Sequence, residues 1–161
     1  MKYKKKNKSQ PARQLVDSPS VNEPAVAKQS SLTPLQLMEQ RRAGFALQQV
    51  QAAIGDGQCK DVEFRSYARS LPAMIQNNGL GQAVAFYLSK GSKNVAYKRL
   101  YDVLSDWLTS SGQPYADSPD LLDGITQQDM YQYRHAQAEA QALLSWVKKF
   151  AEALCESEPE D

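Results

Sequence analysis

Apolar positions along this chain recur at three- and four-residue spacing almost throughout its middle, and nowhere alternate as a strand would. Thr33 followed by Pro34 is a favoured helix start. It opens a predicted helix to about Ile54 with Ala43, Ala46, Leu47, Val50, Ala53 and Ile54 as its buried stripe. That stripe leaves Arg41, Phe45 and Gln48 on the opposite side and Arg42 on the flank. An aromatic among arginines suits stacking on bases or clamping a phosphate backbone. It equally suits Phe45 packing on a second helix while the arginines stay solvated.

Gly55-Asp56-Gly57 breaks the chain. Asp61 is then placed to cap a second helix whose Phe64, Tyr67, Ala68 and Leu71 face inward. Pro72 lacks an amide donor, so this helix is expected to kink or restart there. Leu71, Met74 and Ile75 carry the stripe on to Asn78-Gly79, where Gly79 is expected to form a left-handed cap and Asn78 to bond nearby backbone. Leu80, Ala83, Val84 and Tyr87 start the next helix at once, and the small residues Gly81, Ala83 and Ala85 let it approach its neighbours closely. A tight helical hairpin follows from the pattern alone.

Lys90-Gly91-Ser92 separates this helix from one carrying Tyr97, Leu100, Leu104, Trp107 and Leu108, with Lys93, Lys98 and Arg99 expected in its first turns. Gly112 to Asp117 reads as a turn. Ser118-Pro119 begins a short helical turn that Gly124 is expected to end. The last helix is expected to start at a capping box, Thr126 to Asp129, and to bury Tyr133, Ala136, Ala140, Leu143, Val147, Phe150 and Leu154. The fold expected is all-α: a compact single-domain bundle of about five or six helices with no sheet, the last helix longest or second longest.

The string from Leu71 to Gly91 also resembles a known signature. Leu71, Pro72, Ala73, Ile75, Asn78, Gly79, Leu80, Gly81, Gln82, Ala83, Phe86, Tyr87, Ser89, Lys90 and Gly91 stand where the small all-helical subunit of the Cmr complex, the type III-B CRISPR effector, has its Leu-Pro-Ala to Ser-Lys-Gly run. The resemblance returns at Tyr133, Arg134, Glu139, Ala140, Leu143, Leu144, Trp146, Lys148, Lys149, Phe150 and Ala151. With a weaker match at Arg42-Ala43, it covers about Leu35 to Leu154. It implies a subunit that stacks along the repeated backbone subunit and further copies of itself. There it would help hold crRNA and target RNA in the cytoplasm, with cleavage belonging to the backbone subunits.

Charge changes this picture in one respect. The net charge of +1 hides seven basic and two acidic side chains in residues 1–31 and four acids in the last six residues, leaving the body between them balanced. Residues 1–31, rich in Pro, Ser, Gln and Lys, are expected to form a disordered basic arm. Residues 32–155 are expected to form the helical domain, and 156–161 a frayed acidic tail. Any RNA contact on the body must then be a local cluster. The candidates are Arg41, Arg42, Lys90, Lys93, Lys98 and Arg99, with Lys148 and Lys149 supplied by the resemblance. Lys98 also has Asp102 at i+4 as a simple partner.

No enzyme constellation accompanies these residues: there is no Walker loop, no GxGxxG after a strand, no HExxH and no GxSxG. His135 with Glu139 at i+4 lacks the second histidine of a helical metal motif, and His135 is expected to be an exposed residue rather than a ligand. Cys59 and Cys155 read as free thiols in a reducing cytosol. No metal, cofactor or membrane span is expected. The competing reading is a stand-alone helical scaffold, or a regulator binding a protein partner or DNA.

Overall fold

The computed structural model describes residues 32–157. The expected basic arm and most of the acidic tail lie outside the described residues. Those described form six helices and no strand: α1 (Pro34–Gly55), α2 (Asp61–Asn78), α3 (Leu80–Gly91), α4 (Val95–Leu108), α5 (Leu121–Gln127) and α6 (Met130–Leu154). α6, with 25 residues, is the longest. It runs as a spine against which α1 and α2 pack, while α3 and α4 pair with each other, pack on α2 and also reach α6. The core they share includes Phe64, Leu71, Ile75, Leu80, Leu100, Leu104, Leu143 and Leu144, all fully buried.

Helix ends follow side-chain chemistry closely. Thr33 caps α1 in a capping box: its hydroxyl accepts the Gln36 amide at 3.3 Å, and Gln36 Oε1 accepts the Thr33 amide at 2.8 Å. Asn94 caps α4 by accepting the Ala96 and Tyr97 amides, so α4 begins at Val95 and Lys93 precedes it in the turn. Asp129, not Thr126, caps α6 through the Gln132 amide. Thr126 is the penultimate residue of α5 and donates its hydroxyl to the Leu122 carbonyl. A carboxylate three residues before a free amide caps better than a hydroxyl that can satisfy itself on its own helix. Asp61 is the first residue inside α2, and Lys60 takes the cap position.

Two expected breaks are absent. α2 continues through Pro72 to Asn78, and the Pro72 carbonyl accepts a bond from Gln141 Nε2 on α6 at 2.8 Å. Packing of Leu71 and Ile75 in the core holds the helix across the missing donor. Gly124 lies inside α5 rather than ending it, because Tyr115 sits against it: a Cβ there would stand 2.5 Å from the ring. Gly79 does have positive φ, +82°, but its ψ of 160° is the extended, glycine-only region and not a left-handed helical turn. That geometry lets α3 begin with Gly79 alone between the two helices.

The interior stripes differ from expectation at their edges. Ile54 and Leu154 are exposed, as is Ala85. Glu139 is buried, 6% exposed.

Candidate functional site

The α3–α4 corner gathers three of the candidate lysines. Gly91 makes this possible, since a Cβ there would meet the Lys98 backbone and Cβ at about 3.0 Å. The turn is closed by the Lys93 amide donating to the Lys90 carbonyl at 3.0 Å and the Lys98 amide to the Asn94 carbonyl at 3.3 Å. Lys90, Lys93 and Lys98 are all exposed. Lys98 pairs with Asp102 across one helical turn, while Lys90 and Lys93 have no carboxylate within salt-bridge distance among the described residues. Lys90 Nζ instead stands over the Phe86 ring, 5.5 Å from its centroid. Arg99 turns away from this corner and bonds Asp56 at 2.5 Å; the Gln58 amide, and after it this bond, hold the Asp56 carboxyl below its usual range.

An aromatic cluster backs the corner. Tyr67 and Tyr97 stack at 3.8 Å between centroids, Tyr87 crosses Tyr97 at 4.9 Å, and Phe86 meets the edges of Tyr87 and Tyr97 at 5.9 Å. The Tyr87 hydroxyl donates to the Tyr67 carbonyl at 2.8 Å. Four rings from α2, α3 and α4 thus fix the outer face of α3. At its other end, α6 caps α3 from the side: the Leu80 amide donates to Gln137 Oε1 and the Gly81 amide to the Tyr133 hydroxyl, both at 3.0 Å. Gly81 also admits Ile125, whose Cγ2 stands 3.3 Å from where a Cβ would be. Asn78 is exposed and its side chain makes no hydrogen bond among those of the described residues.

Arg42 stands apart from the other candidates. Its Nε and Nη2 donate to Glu139 at 2.7 and 2.6 Å, its Nη1 bonds Glu39, and its side chain is 11% exposed. Glu139 also accepts Trp107 Nε1 at 2.8 Å. Burial pushes the Glu139 carboxyl up, but the Arg42 and Trp107 bonds and the Arg42 charge outweigh it, so its value lies below the ordinary 4.5. The same pairing raises Arg42. This guanidinium joins α1 to α6 through Glu139. Phe45 is engaged as well, its ring 5.0 Å from Trp107. Arg41 remains exposed on the outer face of α1.

Lys148 and Lys149 lie on α6, Lys149 with its Nζ 5.6 Å from the Trp146 ring centroid. Trp146 donates its Nε1 to Glu39 at 3.0 Å and helps line a groove of about 420 Å³ with Leu32, Leu35, Gln36, Glu39, Gln40 and Ala43. Leu35 is 70% exposed at its rim. The sequence signal for this groove was present in the leucines around the α1 start, which the predicted stripe did not use.

Among the described residues no group of three or more His, Cys, Asp or Glu is placed to hold a metal ion, and no helix is long and apolar enough to cross a membrane. Cys59 and Cys155 are free and buried. Burial pushes both thiols up to about 11, so they stay protonated and unreactive at neutral pH. His135 is exposed.

Fold and surface together define a small all-helical protein whose exposed chemistry is a lysine-lined corner, an aromatic edge and an apolar groove. Residues 38–154 match the family described as CRISPR-associated protein (Cas_Cmr5), and the chain belongs to that family. A relative described as CRISPR system Cmr subunit Cmr5, from Thermus thermophilus, is 34% identical over 106 residues, which are 66% of this chain and 84% of the relative. The crystal structure of a CRISPR-associated Cmr5 family protein, also from Thermus thermophilus, superposes with a TM-score of 0.59 at 29% identity. That match covers 73% of this chain and 96% of the other.

Proposed function

We propose that the chain is a non-catalytic structural subunit of a type III-B Cmr effector, a cytoplasmic RNA-guided ribonucleoprotein of antiviral defence. Other Cmr subunits are its partners. It stacks along the repeated backbone subunit and copies of itself, and its α3–α4 corner helps hold the crRNA–target RNA duplex. The observation that carries the RNA contact is the corner itself: Lys90 and Lys93 are exposed, close together and free of carboxylate partners among the described residues. Unneutralised lysines held at a rigid turn suit a phosphate backbone, and a guide that pairs with its target leaves the protein only charge and shape to read. The groove beside Trp146 and Leu35 supports a protein contact on the α1–α6 side of the molecule. Arg41, Lys148 and Lys149 are a second, weaker set for RNA; Arg42 and Arg99 are each engaged by a carboxylate, Glu139 and Asp56.

The test replaces Lys90, Lys93 and Lys98 together by glutamine. Assembly with the other Cmr subunits and target-RNA affinity are then measured at two salt concentrations. Normal assembly is expected, with weaker binding of matched targets irrespective of their sequence. The salt slope of log affinity is expected to shrink by about 0.7–0.9 for each phosphate that the protein no longer neutralises. Unchanged affinity and slope would refute the RNA role, and failed assembly would reassign the corner to a protein interface.

A further inference from the structure

Phe86 is 39% exposed although its neighbour Tyr87 is 2% exposed. The core does not require it. Leu80, Ala83, Val84 and Tyr87 already close the inner face of α3, and Phe86 projects from the outer side, one helical turn before Lys90. Its setting is nevertheless rigid. Tyr87 and Tyr97 meet it crossed at 60° and 82°, so neither ring lies parallel on its faces, while Tyr97 is itself stacked on Tyr67. The group resting over the ring is the Lys90 ammonium, on a flexible stem. A cation at this distance over an exposed aromatic contributes little and is readily exchanged for a phosphate.

We infer that Phe86 is a stacking platform for an unpaired nucleobase of RNA, with Lys90 and Lys93 taking the phosphates on either side of it. This rests on the RNA role of the α3–α4 corner and adds a chemical class to it. Bases inside a duplex are already stacked on one another, so the ligand is a single-stranded or displaced nucleotide. Every base has a π-face, so the contact is indifferent to sequence. An aromatic held by its edges among other rings loses little freedom when a base arrives, which is the condition for a stacking contact to add affinity.

The experiment uses the full chain at low salt and two probes of equal length, on the order of 12 nucleotides to cover one such site. One is oligouridylate and the other an abasic ribose-phosphate oligomer. The wild type should bind oligouridylate about five-fold or more tightly than the abasic oligomer. Phe86→Leu, which keeps an apolar side chain against Tyr97, should bind the two equally, and Phe86→Trp should retain the preference. Lys90→Gln with Lys93→Gln should weaken both probes by the same factor. A wild type without preference, or Phe86→Leu with an undiminished one, overturns the stacking role and leaves the charge role standing if the lysine variant still weakens both. A wild type that binds neither probe overturns both together. Thermal melts of each variant are run alongside, and should Phe86→Leu fail to fold, the wild-type comparison of the two probes decides alone.

Discussion

Removing the Glu139 carboxylate should cost this protein a large part of its stability. Glu139 stands on α6 and receives three donors: two from Arg42 on α1, at 2.7 and 2.6 Å, and the Trp107 indole on α4, at 2.8 Å. With side-chain exposures of 7% and 11%, Glu139 and Arg42 are both shielded from water. Deleting one member of such a pair typically costs about 3–5 kcal/mol because the remaining charge is left buried. Here Glu39, 44% exposed, still holds Arg42 Nη1, which places Glu139→Ala near the low end, about 3 kcal/mol, with the orphaned indole included. That is a substantial fraction of a total of about 5–15 kcal/mol. Glu139→Gln retains an acceptor but not the charge, and should lose about 1–2 kcal/mol. Replacing both partners by apolar residues, Arg42→Met with Glu139→Leu, should lose clearly less than the sum of the single changes. Urea unfolding at neutral pH, followed by circular dichroism, measures these variants together with the single changes Arg42→Met and Glu139→Leu. A Glu139→Ala loss under about 1 kcal/mol, or strict additivity of the pair, would refute the reasoning.

Other consequences follow from single positions. Because the folded Glu139 value is lowered, its contribution is full above the ordinary 4.5 and is lost as pH falls through the native value. The wild-type advantage over Glu139→Gln in urea should therefore shrink on acidification below that point and stay constant above it. Gly124→Ala places a Cβ 2.5 Å from the Tyr115 ring and should lower stability by about 1–3 kcal/mol in the same assay. Gly79→Ala, at φ +82° with the Tyr133 hydroxyl 3.0 Å away, should cost a similar amount, about 1–3 kcal/mol. Gly44→Ala, in mid-helix with nothing within 4 Å, should instead raise the melting temperature, by about 0.4–1 kcal/mol in stability.

Helix number and order were legible in the sequence because each helix has its own apolar stripe and the breaks between most of them carry glycine, asparagine or proline. The errors fell where tertiary packing overrides local signals. Pro72 and Gly124 are breakers by propensity, yet the core around Leu71 and Ile75 carries α2 past the first. Tyr115 fills the space that explains the second. The capping box read from Thr126 to Asp129 failed because the Thr126 hydroxyl is satisfied inside α5, and Asp129 caps α6 instead. At the site, lysines of the α3–α4 corner were legible as a cluster, since Lys90, Lys93 and Lys98 are close in sequence as well as in space. The fates of Arg42 and Glu139 were not legible. They are 97 positions apart, and no periodicity in either helix reveals that two charged residues will meet in the interior. Tyr87 was legible as part of the α3 stripe, which leaves Phe86 off it, but the rings of Tyr87 and Tyr97 that hold Phe86 by its edges were not.

As proposed above, this subunit holds RNA within a Cmr complex without taking part in the cleavage chemistry. The most direct test reconstitutes the complex with and without this chain, and measures both the target-RNA dissociation constant and the cleavage rate at saturating target. Target binding should weaken when the chain is missing, with an unchanged cleavage rate per assembled complex at saturation. A cleavage rate that collapses at saturating target while the dissociation constant holds would contradict the proposal.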